Sequence, residues 1–208
     1  MLIGIDLDNT IIRYDKALHG IALERGLISA KTPAIKQVIR DEVREKHDEI
    51  EWQKLQIAIY GTHIERAELM SGVWDFLLCL KESGIEFKIV SHKTRYPNHG
   101  ESKVDLRAAA MNFLEQKRFF ASNGLGMDPK DVFFLSTRTE KIRTIHELRC
   151  SLFIDDLKEL YLEPDFPKET TRILLSTEQG IEIPAVKVLP DFARISKYVF
   201  AGITNGKF

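Results

Sequence analysis

The chain opens with an apolar run, residues 2–7, that carries two aspartates one residue apart, Asp6 and Asp8. A short apolar run bounded by polar residues is typical of a buried strand. Alternation along a strand places Asp6 and Asp8 on the same side. Ionised carboxylates at such a position are costly to bury unless a cation or hydrogen bonds compensate them. The pair therefore predicts a divalent-metal site or an acid–base pair.

The rest of the chain alternates between short apolar runs and segments with helical spacing. Four more strands are predicted, at residues 86–90, 132–135, 152–154 and 172–175. The predicted helices among and after them are residues 73–83, 103–120, 141–148 and 191–200. This alternation indicates an α/β, Rossmann-like fold, with a mainly parallel sheet and helices on both faces. Such sheets bind their ligands beyond the carboxyl ends of the strands.

A long insert separates the first predicted strand from the second. Residues 14–70 are mostly helical in pattern, and residues 38–59 predict one long helix whose many charges form a solvated face. The predicted domains are therefore an α/β core, residues 1–13 and 71–208, and a helical cap, residues 14–70.

Composition narrows the class of partner. The 208 residues carry 30 Lys+Arg against 31 Asp+Glu, and this balance gives no reason to expect a nucleic-acid polymer or a membrane surface. No apolar run approaches the roughly 20 residues that span a bilayer. No leader peptide is recognised, so a cytoplasmic protein is expected.

Cys79 and Cys150 are expected to be core thiols. The oligomeric state is not predicted.

Polar residues that can bind an anion or a cation follow other predicted strands. Ser91 closes the run 86–90, and Asp155 and Asp156 follow the run 152–154. Lys141 begins the predicted helix, residues 141–148, that precedes the strand before those two acids. Each has an ordinary interpretation on its own, as a turn serine, a helix-capping acid or a solvated lysine. Together with Asp6 and Asp8 they predict one site at the carboxyl edge of the sheet.

These residues resemble the motifs of one enzyme family. The segment Asp6-Leu7-Asp8-Asn9-Thr10 is similar to DxDx[TV], the first motif of the haloacid dehalogenase-like (HAD) phosphohydrolases. Ser91, Lys141 and the pair Asp155-Asp156 resemble the second, third and fourth motifs, in the family's order. Residues 14–70 match a type 1 cap in position and helical character. The resemblance covers the core, at about residues 1–13 and 71–180.

The resemblance implies a role for each residue. Asp6 would be the nucleophile, and Asp8 would protonate the leaving oxygen and then activate water. Mg²⁺ would be held by the carboxylates of Asp6 and Asp155 and by the backbone carbonyl of Asp8. Asp156 would act on the metal through water or would orient Lys141, and the sequence does not rank Asp155 and Asp156. The phosphate-binding residues would be Asn9, Thr10, Ser91 and Lys141.

The predicted function is a Mg²⁺-dependent phosphatase that acts on a small phosphorylated metabolite through an aspartyl-phosphate. Dehalogenases of the family lack an acid at the position of Asp8. The presence of Asp8 in this sequence therefore favours phosphate chemistry. His92, Lys93 and Arg95, in the predicted loop 92–102, are possible substrate contacts, although a merely polar loop also explains them. The alternatives are a sugar-phosphate phosphomutase and a catalytically silent HAD scaffold used for binding. The substrate is not predicted.

Overall fold

A computed structural model describes residues 1–98 and 102–206 of the chain. The predicted loop 92–102 therefore lies partly outside the described residues. The chain divides into two compact units. We call Met1–Ile11, Leu69–Lys93 and Arg118–Phe208 the core unit, and Ile12–Glu68 and Thr94–Lys117 the helical unit.

The strands of the described residues are β1 (Leu2–Ile5), β2 (Ile12–Arg13), β3 (Glu68–Leu69), β4 (Glu86–His92), β5 (Val132–Leu135), β6 (Leu152–Asp155), β7 (Thr171–Leu175) and β8 (Val186–Leu189). In this part of the chain six of them form one sheet in the order β5-β4-β1-β6-β7-β8, and its strand pairs are parallel. The short strands β2 and β3 pair with each other. The predicted parallel sheet is confirmed, and β8 is a strand that the sequence analysis missed.

The helices are α1 (Asp15–Glu24), α2 (Lys36–Lys46), α3 (Glu49–Ile57), α4 (Val73–Glu82), α5 (Leu106–Gln116), α6 (Arg138–Glu147), α7 (Lys158–Tyr161) and α8 (Phe192–Thr204). A π-helical turn, Ala58–Thr62, follows α3. In the core unit, α6 and α7 pack on the sheet through a buried cluster that includes Ile142, Tyr161 and Phe153. α4 and α8 pack together, with the rings of Phe76 and Phe192 5.5 Å apart. Helices therefore cover both faces of the sheet, as predicted.

The glycine in β1 allows close packing at the centre of the sheet. A Cβ at Gly4 would lie 2.4 Å from Cδ2 of Phe153 and 3.0 Å from Sγ of Cys150. Phe153 is fully buried, so its ring has little room to move away. Cys150 is a buried thiol as predicted, but the prediction for Cys79 is wrong, because this residue of α4 is exposed.

In the helical unit, the prediction of one helix over residues 38–59 is wrong. α2 ends at Lys46, and α3 begins at Glu49 after Asp48, whose side chain accepts a hydrogen bond from the backbone N–H of Glu51 at 2.7 Å. An aspartate at this position satisfies a backbone donor of the next helix and so favours a new helix start. The apolar spacing of residues 38–59 spans both helices and conceals the break between them.

The helical unit also contains residues 94–117, in addition to most of the predicted cap. The helix predicted at residues 103–120 is shorter, because Asp105 caps α5 and the helix ends at Gln116. α5 contacts the π-helical turn, and a Cβ at Gly61 would lie 2.5 Å from Cγ1 of Val104. This close approach joins the segment before α5 to the rest of the unit. Among residues 1–98 and 102–206, no helix is both long enough and apolar enough to cross a bilayer.

Candidate active site

The two aspartates of the first motif lie in a tight turn after β1. The backbone N–H of Asp6 donates to the carbonyl of Ile154 at 2.9 Å, which extends the pairing of β1 with β6. The N–H of Ile11 donates back to the carbonyl of Leu7 at 2.9 Å and closes the turn. Asn9 takes up a left-handed backbone, with φ of 60°, a conformation that asparagine tolerates better than most residues. The local sequence therefore turns the chain immediately after it has delivered Asp6.

Lys141 is a buried lysine that joins two buried aspartates. Its Nζ lies 2.6 Å from Oδ1 of Asp6 and 2.6 Å from Oδ2 of Asp155. All three residues are at most 6 % exposed. α6 positions Lys141 in its second turn, and the capping box of Thr137 and Glu140 fixes the start of this helix at Arg138. The helix thus begins three residues before the predicted start at Lys141, and this lysine lies beside Asp6 and Asp155.

Burial and neighbouring charges shift the ionisation of this cluster. Burial raises the pKa of Asp6 well above its usual range, Lys141 lowers it, and the carboxylates of Asp155, Asp156 and Asp8 raise it again. Burial lowers the pKa of the Lys141 amine, but Asp155 and Asp6 raise it by more, so its pKa lies above the usual range. Lys141 is therefore held in its charged form, and its positive charge favours the ionised form of Asp6 against the effect of burial.

Asp155 and Asp156 have different environments. Asp155 ends β6, is 1 % exposed, and accepts a hydrogen bond from the backbone N–H of Leu157 at 2.7 Å. Asp156 is partly exposed, and its Oδ1 lies 3.5 Å from the hydroxyl of the buried Thr10. Lys141 contacts Asp155 directly, and the expectation that Asp156 acts on the metal through water or orients this lysine stays a prediction.

Lys93, one of the possible substrate contacts, is a buried lysine beside Asp8, and its contact with a substrate stays a prediction. Its Nζ lies 2.7 Å from Oδ2 of Asp8, and its side chain is 3 % exposed. Its backbone N–H donates to the carbonyl of Leu135 at 2.9 Å, so the residue continues the pairing of β4 with β5. Ser91 is buried within β4, which runs one residue beyond it to His92. The alternation of Ser91 and Lys93 puts both on one side of the strand, and this was the available signal.

The other two predicted substrate contacts have partners of their own. Nε2 of His92 lies 3.1 Å from the carbonyl oxygen of Ser136. Arg95 belongs to the helical unit, where its guanidinium lies 2.8 Å from Asp105 and 5.4 Å from the ring centre of Tyr96. Contact of these residues with a substrate stays a prediction.

The charges and ligand atoms of the site fit a divalent cation. Asp6, Asp155 and Asp156 each offer a carboxylate oxygen, and these three atoms all lie within 4.8 Å of one another. With all four aspartates ionised, they and the two lysines of the site would have a formal charge of minus two, and with Asp8 protonated the charge would be minus one. Hard divalent cations such as Mg²⁺ prefer oxygen ligands of this kind. One such ion would offset this negative charge.

Comparisons with known proteins identify the fold. No family model matches the sequence, and no curated protein matches it. Three similar solved structures are a HAD-superfamily hydrolase from Geobacter sulfurreducens, a HAD-family hydrolase from Deinococcus radiodurans with bound phosphate and sodium, and a predicted phosphoglycolate phosphatase from Haemophilus somnus.

The similarity lies in structure far more than in sequence. The first is 12% identical with a TM-score of 0.57, and covers 95% of both chains. The second is 15% identical with a TM-score of 0.53, and covers 97% of this chain and 96% of the other. The third is 15% identical with a TM-score of 0.51, and covers 95% and 97%. Over nearly its whole length, this chain has the fold of the HAD-superfamily hydrolases.

Proposed function

We propose that this protein is a Mg²⁺-dependent phosphatase that hydrolyses a small phosphate ester through an aspartyl-phosphate on Asp6. The observation that carries the proposal is the grouping of Asp6 with a buried lysine and with two further acids that can hold a cation. Phosphoryl transfer depends mainly on positioning and on neutralisation of charge, and this grouping supplies both.

The residues of the core unit account for each step. A carboxylate oxygen of Asp6 attacks phosphorus, the bond from phosphorus to the ester oxygen breaks, and Asp8 gives its proton to that oxygen. Asp8 then takes a proton from water as the water oxygen attacks phosphorus, which releases phosphate and restores Asp6. Ser91 and Lys141 hold phosphoryl oxygens.

The acids of the site would hold the metal ion. Asp6, Asp155 and Asp156 would bind Mg²⁺, together with the backbone carbonyl of Asp8. When bound, the ion would neutralise charge on the phosphoryl group.

Asp8 is the residue that favours phosphate esters over haloacids. A halide leaves as a stable anion and needs no proton, whereas an alkoxide does. The acid is present here and lies in the site, two residues from Asp6. The proposed substrate is therefore a small phosphorylated metabolite, and the cytoplasm stays the predicted location.

The test is phosphate release from a panel of sugar phosphates, nucleotides and phosphorylated acids, with and without Mg²⁺. We expect release that requires Mg²⁺, and we expect Asp6→Asn to abolish it without unfolding the protein. Asp75→Asn, which alters an exposed aspartate of α4, is the matched control and should keep full activity.

Three results would contradict the proposal. Full activity of Asp6→Asn would mean that another group is the nucleophile. Conversion of a sugar phosphate into its isomer without release of phosphate would indicate a phosphomutase. Absence of Mg²⁺-dependent turnover across the whole panel would indicate a binding scaffold.

A further inference from the structure

We propose that Lys93 is a positioning residue, which holds the carboxyl group of Asp8 in the orientation needed for proton transfer to the leaving oxygen. The inference rests on the proposed phosphatase function. In this role Lys93 acts on Asp8 and not directly on the substrate.

The ammonium group of Lys93 is buried and therefore needs an acceptor close to it. Its side chain is 3 % exposed, and a buried ammonium group is stable only beside an acceptor that compensates its lost hydration. Oδ2 of Asp8 lies 2.7 Å from its Nζ. The four-carbon stem of a lysine is flexible in solvent, but here the backbone is fixed by the hydrogen bond from its N–H to Leu135. Lys93 therefore presents its amine to Asp8 from a backbone position immediately after β4, held by its hydrogen bond to Leu135.

Asp8 needs a partner that holds its side chain in one orientation. Its side chain is 22 % exposed, compared with 8 % for Asp6. Asp6 is held by Lys141, and this lysine also holds Asp155. Each aspartate of the first motif thus has its own buried lysine, which comes from a different element of the core unit. Misplacement of a reacting group by about 1 Å can cost about a hundredfold in rate.

This arrangement has a kinetic consequence that depends on the leaving group. Proton donation by Asp8 matters most when the departing oxygen is strongly basic, and least when it leaves as a stable anion. In the steps up to departure of the leaving group, a residue that acts through Asp8 should therefore affect a poor leaving group more than a good one, whereas the later proton transfer from water is the same for both. A residue that binds the phosphoryl group should affect both alike and should raise KM.

The experiment compares two substrates of similar shape, phenyl phosphate and p-nitrophenyl phosphate, in the presence of Mg²⁺. We expect Lys93→Met to lower kcat/KM for phenyl phosphate by about ten- to a hundredfold and to lower it much less for p-nitrophenyl phosphate, because kcat/KM reports the steps up to departure of the leaving group and not the later hydrolysis of the aspartyl-phosphate. Lys93→Arg keeps the charge and should recover part of the lost kcat/KM. Lys88→Met is the matched control, because this lysine of β4 also pairs with an aspartate, Asp131 at 2.6 Å, and should change neither substrate's kcat/KM.

A second comparison applies if Lys93→Met alone fails to fold, because Asp8→Asn removes the carboxylate that would otherwise lose the charge of Lys93. Asp8→Asn and the double variant Asp8→Asn/Lys93→Met should have equal kcat for p-nitrophenyl phosphate, because a positioning residue has no task once the carboxylate is gone. A further loss in the double variant, or a rise in KM with equal loss for both substrates, would overturn the role of Lys93 and leave the phosphatase standing. An inactive wild type would overturn the phosphatase and this inference with it.

Discussion

The most direct physical test of the site is the change Lys141→Met, which keeps an unbranched apolar side chain and removes the amine. Two carboxylates then lose a cation at 2.6 Å, and their side chains are only 8 % and 1 % exposed. Removal of one partner from a buried ion pair leaves uncompensated charge and costs about 3–5 kcal/mol. For a chain of this length, such a loss corresponds to a fall in Tm of about 6–20 °C.

The pH dependence of this loss follows from Asp6. Burial raises the pKa of Asp6 in the folded protein, and Lys141 opposes that rise. Without Lys141 the pKa of Asp6 rises further, so the folded state binds a proton more tightly than the unfolded state does. Stability of the variant should therefore increase as the pH falls through the folded pKa of Asp6, and the difference in unfolding free energy between variant and wild type should narrow over that fall in pH.

Urea unfolding followed by circular dichroism, with EDTA present, measures both effects. Lys88→Met serves as the control, because its ion pair with Asp131 is 20 % and 31 % exposed and should contribute only about 0–1 kcal/mol. A deficit for Lys141→Met below about 1 kcal/mol at pH 8 would refute the reasoning from buried charge. If the difference in unfolding free energy between wild type and Lys141→Met grows as the pH falls, the pH dependence does not arise from Asp6.

Two further changes test the packing of β1 and the metal cluster. Gly4→Ala should lower the free energy of unfolding by about 1–3 kcal/mol, because the added Cβ meets the ring of Phe153, and an unchanged Tm would contradict this. Asp156→Asn should weaken Mg²⁺ binding by about 10–100-fold while the fold is kept, since Asp156 is partly exposed. Titration calorimetry measures that affinity, and equal values for variant and wild type would remove Asp156 from the cation site.

Strands that are apolar throughout are the part of this fold that sequence predicts best. Residues 132–135 were predicted with the observed bounds of β5, since four consecutive apolar residues flanked by polar ones leave little choice. β8 was missed because it is a short edge strand with an exposed lysine, Lys187, among its four residues. Its formation depends on pairing with β7, which local pattern does not reveal.

The residues of the candidate site also differ in how well the sequence predicts them. The acids and Lys141 could be placed from motif order, because each lies next to a recognisable strand or helix. The contact of Lys93 with Asp8 depends on β1 lying beside β4 in the sheet, and strand order is a property of the whole chain. The alternation of Ser91 and Lys93 indicates that the two share a side of the strand, but a lysine in a polar segment is ordinarily solvated, so composition does not show that Lys93 is buried.

The charge of the site also bears on the order in which its ligands bind. In the proposed reaction, a phosphate ester brings negative charge to a cluster in which four aspartates outnumber two lysines, in surroundings where the charges are poorly screened by water. A divalent cation removes that repulsion, whereas the two lysines alone do not, because both are already engaged by aspartates. Lys141 and a cation can share Asp6 and Asp155, since each carboxylate has several lone pairs. The electrostatics therefore favour a site that takes up its cation before, or together with, the phosphate ester.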